Sequence, residues 1–483
     1  MAFFGEIISF INDYMSGYIL VLMLVGVGIY YSVKTKFVQV RCFGEGFRQV
    51  FKKSKQGNGI SSFQALATAV AAQVGTGNIV GACGAIIIGG PGAIFWMWVI
   101  AFLGMATAYG EAVLAQETRV VDKDGQIHGG PVYYIKRAFT GKGGKFLSAF
   151  FAVAIIIACG FIGAMVQSNS IASSISGVFT SFDVDISSHM WIIGLCVAIL
   201  SGVIIIGGIK RIASVTEKIV PIMAILYLLG GILILVVNIK NVPSAIISIF
   251  KYAFVPQAII GGGFGSAIVK AIQKGAQRGL FSNEAGMGST PHAHAQAEVS
   301  SPHRQGTCAM VGVFIDTFVV LTMTALVVLS TLYTGNGVLS SVVGNGETSF
   351  ADIANQMGFF DTNMVQKSFQ ITFASIFGNE AVGNAVGSIF VTVCLFFFAF
   401  STIISWNFFG KINFDYLFGK KSAIVYSAIS IVCVFLGAVF KNSLVWCLSD
   451  LFNNLMVIPN VIALFALGGL VVSLTRKNDG LLK

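Results

Sequence analysis

Residues 73–81 of this chain read Gln73-Val-Gly-Thr-Gly-Asn-Ile-Val-Gly81. The segment places three glycines, together with Thr76 and Asn78, inside an apolar stretch, 61–88, that is long enough to cross a membrane. Backbone N–H and C=O groups that lose their helical partners are costly in hydrocarbon, so such segments occur where protein surrounds them or a cavity adjoins them. The stretch therefore predicts a membrane helix broken at mid-depth, a feature typical of binding sites in secondary transporters.

The composition is that of a polytopic membrane protein. Of the 483 residues, 55% are hydrophobic and 10% are charged, whereas soluble domains carry about 25% charged residues. The eight cysteines are scattered without a CxxC pair, which indicates apolar packing rather than disulfides or a metal framework. We expect one transmembrane domain over 1–483, an uncleaved first span and no cofactor-binding soluble domain.

Hydropathy predicts about eleven transmembrane helices. The predicted spans are 16–33, 61–88, 92–116, 146–178, 189–209, 215–237, 242–272, 307–332, 381–409, 423–440 and 444–474.

The loop charges predict the orientation of these spans. If the N-terminus is outside, 26 of the 30 Lys and Arg residues fall in cytoplasmic segments, as the positive-inside rule requires. Those segments are 34–56, 119–145, 208–218, 270–306, 411–421 and 475–483. We therefore expect an external N-terminus, a cytoplasmic C-terminus and no nucleic-acid partner, despite the net charge of +10.

The last ten spans divide into two sets of five. The second span carries Gly75–Asn78, and the seventh, which runs in the opposite direction, carries Gly261-Gly-Gly-Phe-Gly-Ser266. Glycine breaks at matching positions of antiparallel halves predict an inverted repeat with a binding site at the membrane midplane. The expected division is an N-terminal helix and cytoplasmic loop over 1–60, a first repeat over 61–240 and a second over 241–483.

The first break predicts two kinds of ligand contact. Free N–H groups near Thr76, Gly77 and Asn78 suit a carboxylate, and carbonyls near Val74 and Gly77 suit a monovalent cation. The alternative is close helix packing, since Gly77 and Gly81 form a GxxxG motif. A dinucleotide loop is excluded by the missing strand and acidic residue.

Two further polar interruptions are candidates for the same pocket. Phe264, in the second glycine break, could form a pocket wall, unless that break is only a hinge. Gln167 interrupts the fourth span and is equally suited to bonding between helices. Neither residue alone decides between these interpretations.

The ninth span ends in Ser401-Thr-Ile-Ile-Ser-Trp406. Ser401, Thr402 and Ser405 form a hydroxyl cluster suited to a hard cation such as Na⁺, and Trp406 lies where it could cap the pocket. The alternative is that the hydroxyls bond to carbonyls of their own helix.

Glu111 and Asp316 are acids within predicted spans, and such residues are functional candidates. A structural hydrogen-bonded role is the alternative for both. The segment Gly279-Leu-Phe-Ser-Asn-Glu-Ala-Gly-Met-Gly288, followed by three histidines, is expected to be a cytoplasmic helix cap and loop without a zinc site. No pattern in the chain predicts an enzyme.

With these residues in view, the chain resembles the alanine/glycine:cation symporter family over essentially its whole length. The most specific part is the segment from Gly89 to Thr107, GGPGAIFWMWVIAFLGMAT. GTGNI, GGPVYYI, GIKRIASVTEK, RGLFSNEAGMGS and the Ser405–Trp406 pair match as well.

The resemblance implies a LeuT-like (APC superfamily) five-plus-five inverted repeat with one added N-terminal helix, in a prokaryotic plasma membrane. It implies uptake of alanine and glycine coupled to Na⁺, with no other cofactor and no obligatory protein partner. The implied substrate contacts are Thr76, Gly77, Asn78, Gln167, Phe264, Thr402 and Trp406. The alternatives are a proton-coupled carrier on the same fold, which would use Glu111 or Asp316, and a sensor that binds amino acid without moving it.

Overall fold

The computed structural model describes residues 2–52, 59–182, 184–254, 264–340, 363–440 and 443–478, and most of them are helical. Nine helices in this part of the chain are long and apolar enough to cross a membrane. They are α1 (Gly5–Lys34), α6 (Gly92–Glu117), α8 (Gly141–Thr180), α9 (Ser187–Ile206), α10 (Gly208–Val237), α14 (Pro302–Tyr333), α16 (Glu380–Phe418), α17 (Lys420–Val439) and α18 (Ser443–Ala466).

The remaining elements are shorter or less apolar. The helices are α2 (Val38–Arg41), α3 (Phe43–Val50), α4 (Ser62–Gln73), α5 (Gly77–Gly89), α7 (Pro131–Ala138), α11 (Val242–Phe254), α12 (Phe264–Asn283), α13 (Pro291–Ala295), α15 (Met364–Phe377) and α19 (Gly468–Asn478). Strands β1 (Val120–Val121) and β2 (Ile127–His128) form an antiparallel hairpin between α6 and α7.

The helix break predicted at Gly75–Asn78 is present. Helix α4 begins with a reciprocal capping box between Ser61 and Gln64 and ends at Gln73, and α5 resumes at Gly77 with an axis bent by 52°. The first turn of α5 is π-helical, over Gly77–Gly81, a distortion that is often found at functional sites. Together α4 and α5 form one broken span.

The predicted seventh span, 242–272, is organised differently. Helix α11 has 13 residues, or about 20 Å at 1.5 Å per residue, which is too short to cross a bilayer. A Cβ on Gly92 would lie 2.2 Å from the Tyr252 carbonyl oxygen, and one on Gly275 would lie 2.6 Å from that of Ala93. Helix α11 and the middle of α12 therefore both lie where α6 begins.

A second broken span instead consists of α12, the non-helical residues 284–290 and α13. This span runs alongside α6 in the same direction. A Cβ on Gly104 would lie 3.0 Å from the Ala285 side chain, and Gln116 Nε2, near the end of α6, donates to the Ala297 carbonyl at 3.0 Å. The break thus lies halfway along α6, so the prediction that 279–288 is a cytoplasmic loop is wrong.

The glycines of the predicted partner break, Gly261–Gly263, lie outside the described residues. Lys274 of α12 pairs with Asp13 of α1 at 3.5 Å, which places Lys274 at the end of the molecule opposite the hairpin of β1 and β2. The segments 119–145, which contains the hairpin, and 270–278 therefore lie at opposite ends, and their joint assignment to the cytoplasmic face is wrong. Even so, 23 of the 30 Lys and Arg residues remain in predicted cytoplasmic segments.

Close helix contacts in the second half of the chain depend on a Gly383-x-x-x-Gly387 pair in α16. A Cβ on Gly383 would lie 2.2 Å from the Ala374 nitrogen of α15, and one on Gly387 would lie 2.6 Å from the Gln370 nitrogen. Backbone atoms cannot yield as a side chain can, so only glycine allows α15 to pack at this distance.

We predict that Gly383→Leu destabilises the protein by about 1–3 kcal/mol or more, because the added side chain must displace backbone. Thermal unfolding of the detergent-solubilised protein measures this effect. The matched control is Gly469→Leu in α19, where a Cβ would meet no atom within 4 Å. Equal melting temperatures for the two variants would contradict the packing account.

Candidate functional site

Asn78 holds the first break in shape. Its Oδ1 accepts from the Gly75 N–H at 3.1 Å, and its Nδ2 donates to Asp316 Oδ1 at 2.6 Å and to the Asp316 carbonyl at 3.2 Å. Thr76 and Asn78 are buried, and Gly77 is half-buried. The Asn78 side chain is thus occupied by the protein, which leaves backbone N–H groups of the break as the candidates for a ligand.

Two hydroxyls of α16 lie against the end of α4. Thr402 Oγ1 donates to the Ala71 carbonyl at 3.0 Å and lies 3.5 Å from that of Ala72, while Ser401 Oγ lies 3.3 Å from the Ala71 carbonyl. Both hydroxyls also reach the Phe398 carbonyl at 3.0 Å. Buried oxygen atoms therefore converge at the negative end of a helix dipole.

This oxygen cluster suits a hard monovalent cation, and its donors come from both the broken helix and α16. The carbonyls that these hydroxyls contact in α4 belong to Ala71 and Ala72, which precede Val74 by three and two residues. The carbonyls of Val74 and Gly77, which the sequence suggested as ligands, remain untested candidates. The alternative of back-bonding within α16 also holds for Ser401 and Thr402, since each hydroxyl has a carbonyl of its own helix within reach.

Gln167 and Thr402 meet at the first break. A Cβ on Gly75 would lie 2.6 Å from Thr402 Oγ1 and 3.6 Å from Gln167 Nε2, so these three residues adjoin one another. Gln167 Oε1 and Ser405 Oγ are buried without a hydrogen-bond partner in the described structure. Unsatisfied buried polar atoms of this kind call for an occupant such as a ligand, an ion or water.

Trp406 contacts the second break. Its Nε1 donates to Glu284 Oε1 at 2.7 Å, and its ring lies 2.6 Å from where a Cβ on Gly163 would stand. Phe264 begins α12, but its side chain lies outside the described residues, so its proposed contact with substrate stays a prediction.

The second break, residues 284–290, was missed as part of the site. It is buried, and it adjoins the first break through Gln73 Nε2, which donates to the Asn283 carbonyl at 2.8 Å. Glu284, Gly286 and Gly288 have φ values of 56°, 85° and 82°, a left-handed conformation that favours glycine. The sequence signal for this break is the motif Gly286-Met-Gly288, which closely follows the polar pair Asn283-Glu284.

Glu111 and Asp316 each form hydrogen bonds with residues of a break. Glu111 accepts from the N–H groups of Gly286 and Gly288, both at 3.0 Å, and from Asn460 Nδ2 at 2.7 Å. Asp316 lies in a π-helical part of α14 and accepts from Ser282 Oγ at 2.9 Å as well as from Asn78. Both carboxylates thus have hydrogen-bond partners in the structure, and a role in proton coupling stays a prediction.

A cavity of about 480 Å³ reaches the first break. Thr76 and Gly77 line it together with a row of polar residues on α8, which includes Ser170 and Ser173. Its volume lies in the range of roughly 300–1,000 Å³ that is usual for small-molecule sites. The break is therefore accessible to a small ligand.

One histidine of the 279–303 region lies near other metal-ligand types. The ligand atoms of Cys42, Glu45 and His303 all lie within 4.8 Å of one another. His303 Nδ1 bonds the Tyr109 hydroxyl at 2.7 Å, and Nε2 lies 3.4 Å from Glu45 Oε2. Each ring nitrogen of His303 thus has a protein partner in the structure.

We predict that Glu111→Ala destabilises the protein by about 1–3 kcal/mol or more, because two N–H groups of the second break lose their acceptor in a buried setting. Thermal unfolding in detergent measures it. Glu117→Ala, at an exposed position on the same helix, is the control and should change stability by about 0.5 kcal/mol or less. A Glu111 variant as stable as the Glu117 variant would contradict this role.

Comparison with known proteins places this chain in a family. The model of the sodium:alanine symporter family matches residues 1–480. The chain is 39% identical over 478 residues to the sodium/alanine symporter AgcS of Methanococcus maripaludis, covering 98% of this chain and 97% of that protein. It is 40% identical over 467 residues to the putative sodium/proton-dependent alanine carrier YrbD of Bacillus subtilis, covering 96% and 90%.

The fold also matches a solved transporter. The structure of MhsT in complex with L-phenylalanine aligns with a TM-score of 0.57 at 14% identity, covering 87% of this chain and all of that one. The expected fold class, an all-α polytopic membrane protein of LeuT type, is therefore confirmed. With a family model that spans nearly the whole chain and relatives about 40% identical to it, this membrane protein belongs to the sodium:alanine symporter family.

Proposed function

We propose that this protein imports small neutral amino acids, alanine and glycine, by symport with Na⁺ and alternating access. The observation that carries the proposal is the oxygen cluster between the end of α4 and the Ser401–Thr402 pair. This cluster adjoins Gly75 of the first break, and the next two residues, Thr76 and Gly77, line the large cavity. A cation and a carboxylate at these two places would stabilise each other. The names of AgcS and YrbD, which both specify alanine, support this substrate class.

In this mechanism the amino acid carboxylate binds N–H groups of Thr76, Gly77 and Asn78. Gln167 and Thr402 border the carboxylate, and Phe264 and Trp406 complete the walls. Na⁺ binds Ser401, Thr402 and carbonyls at the end of α4, with Val74 and Gly77 as further ligands. The transport cycle involves no catalytic step and no cofactor besides the coupling ion.

The hairpin end of the molecule is closed near the two broken spans. The Ile60 N–H donates to the Gln296 carbonyl at 3.0 Å, and the Glu298 N–H donates to the Ile60 carbonyl at 2.9 Å. Arg119 adds an ion pair to Glu298 at 3.8 Å and a bond to the Ala297 carbonyl at 2.6 Å. We propose that this end faces the cytoplasm of a prokaryotic cell, with the N-terminus outside, and that these contacts separate when the site opens inward.

A proton-coupled carrier is the second candidate. Asp316 is a buried carboxylate bonded directly to Asn78 at the first break, so its protonation would act on the site. The name of YrbD, a putative sodium/proton-dependent alanine carrier, agrees with either coupling ion. The division into repeats over 61–240 and 241–483 stays a prediction for both candidates.

We predict that Thr402→Val raises the Na⁺ concentration needed for half-maximal alanine uptake by about tenfold or more, since it removes a ligand oxygen while preserving shape. Uptake into proteoliposomes at varied external Na⁺ measures this change. Thr402→Ser keeps the hydroxyl and should stay near the wild-type value. An unchanged Na⁺ requirement in the valine variant would remove Thr402 from the cation site.

We also predict that Asn78→Ala weakens alanine binding by about tenfold or more, because the Gly75 N–H and Asp316 each lose one of their hydrogen-bond partners. Equilibrium binding of labelled alanine in saturating Na⁺ measures the loss. Asn238→Ala, on a residue bonded to Thr372 away from both breaks, serves as the control. Normal binding by the Asn78 variant would show that the break keeps its shape without this side chain.

A further inference from the structure

Two opposite charges face the large cavity without pairing. Arg278 of α12 and Asp450 of α18 both line the 480 Å³ cavity, and no ion pair within 4.0 Å joins them in the described part of the chain. Arg278 Nε is buried and has no hydrogen-bond partner there. Both residues are half-buried, and Asp450 also lies in the field of Lys274. A ligand that carries a carboxylate and an ammonium group would give each of the two facing charges a direct partner.

Asn453 adds a second, independent observation. It follows Asp450 by three residues on α18 and therefore shares its helix face. Asn453 is only 2% exposed, and its Nδ2 and Oδ1 are both buried without a hydrogen-bond partner in the described structure. Arg278, Asp450 and Asn453 together line a smaller cavity of about 20 Å³ next to the large one.

These groups lie on the way to the first break. The large cavity is bounded both by Arg278 and Asp450 and by Thr76 and Gly77. Phe281, one turn of α12 beyond Arg278, lines the large and the small cavity alike. A solute in the large cavity can therefore contact the charged residues as well as the backbone of the break.

We propose that Arg278 and Asp450 form an entry subsite that binds an α-amino acid as a zwitterion before it reaches the first break. The guanidinium matches a carboxylate through paired N–H donors, and the Asp450 carboxylate accepts from the ammonium group. Asn453 offers both a donor and an acceptor to the same ligand. The ligand class rests on the proposed function, whereas the charge arrangement does not.

The subsite requires both charges of the ligand. Alanine should bind there without Na⁺, because the groups that recognise it are distinct from the Ser401–Thr402 cation cluster. Ethylamine and propionate, each with one of the two charges, should bind there far more weakly. If Arg278 and Asp450 served only to close the cavity by pairing with each other, they would not distinguish these solutes.

Saturation-transfer NMR on the full chain in nanodiscs, in Na⁺-free buffer, tests the proposal because it detects weak binding. The alanine methyl signal should be present for the wild type and fall about tenfold or more in Arg278→Gln and in Asp450→Asn. Arg211→Gln, an exposed position at the hairpin end, should keep the signal.

Arg278→Lys is the control for misfolding of the Arg278→Gln variant, because it retains the charge and should retain part of the alanine signal. An alanine signal that survives both neutralising variants, or that propionate displaces as well as alanine does, would overturn the subsite. Na⁺-driven uptake by the wild type is measured separately. If uptake is absent while the Na⁺-free signal still depends on Arg278 and Asp450, the proposed function fails and the subsite stands.

Discussion

The structure depends on satisfying backbone groups that two broken helices expose at mid-membrane depth. Lipid offers no hydrogen-bond partners to replace the lost helical bonds, so side chains from neighbouring helices provide them. Asn78 satisfies the Gly75 N–H of the first break. Glu111 satisfies two N–H groups of the second. Both of these polar side chains are buried.

The same side chains connect the two breaks to each other. Asp316 accepts from Asn78 of the first broken span and from Ser282 at the end of α12. Trp406, four residues after Thr402, is bonded to Glu284 in the second break. A ligand that orders one break therefore changes the environment of the other. Such a network provides a physical route for the reciprocal coupling of ion and substrate affinities that symport requires.

The sequence predicted the first break and the Ser401–Thr402 pair because both interrupt apolar helices with polar residues. It missed the second break for a physical reason. Helix α12 carries Lys270, Lys274 and Arg278, so its hydropathy resembles that of a loop, and the apolar α11 was taken as the crossing instead. Lys274 pairs with Asp13, and Arg278 lines the large cavity, which only the folded arrangement reveals. The hydrogen-bond partners of Glu111 and Asp316 could not be predicted from the sequence either, since they come from residues distant in the chain.

The most direct test of the central claim is accumulation of labelled alanine in proteoliposomes under an inward Na⁺ gradient, compared with an inward proton gradient at equal Na⁺ on both sides. The account predicts accumulation above equilibrium with the Na⁺ gradient alone. Accumulation driven only by protons would transfer the coupling role from the Ser401–Thr402 cluster to a carboxylate such as Asp316. Absence of accumulation under both gradients would contradict the assignment of alanine as substrate.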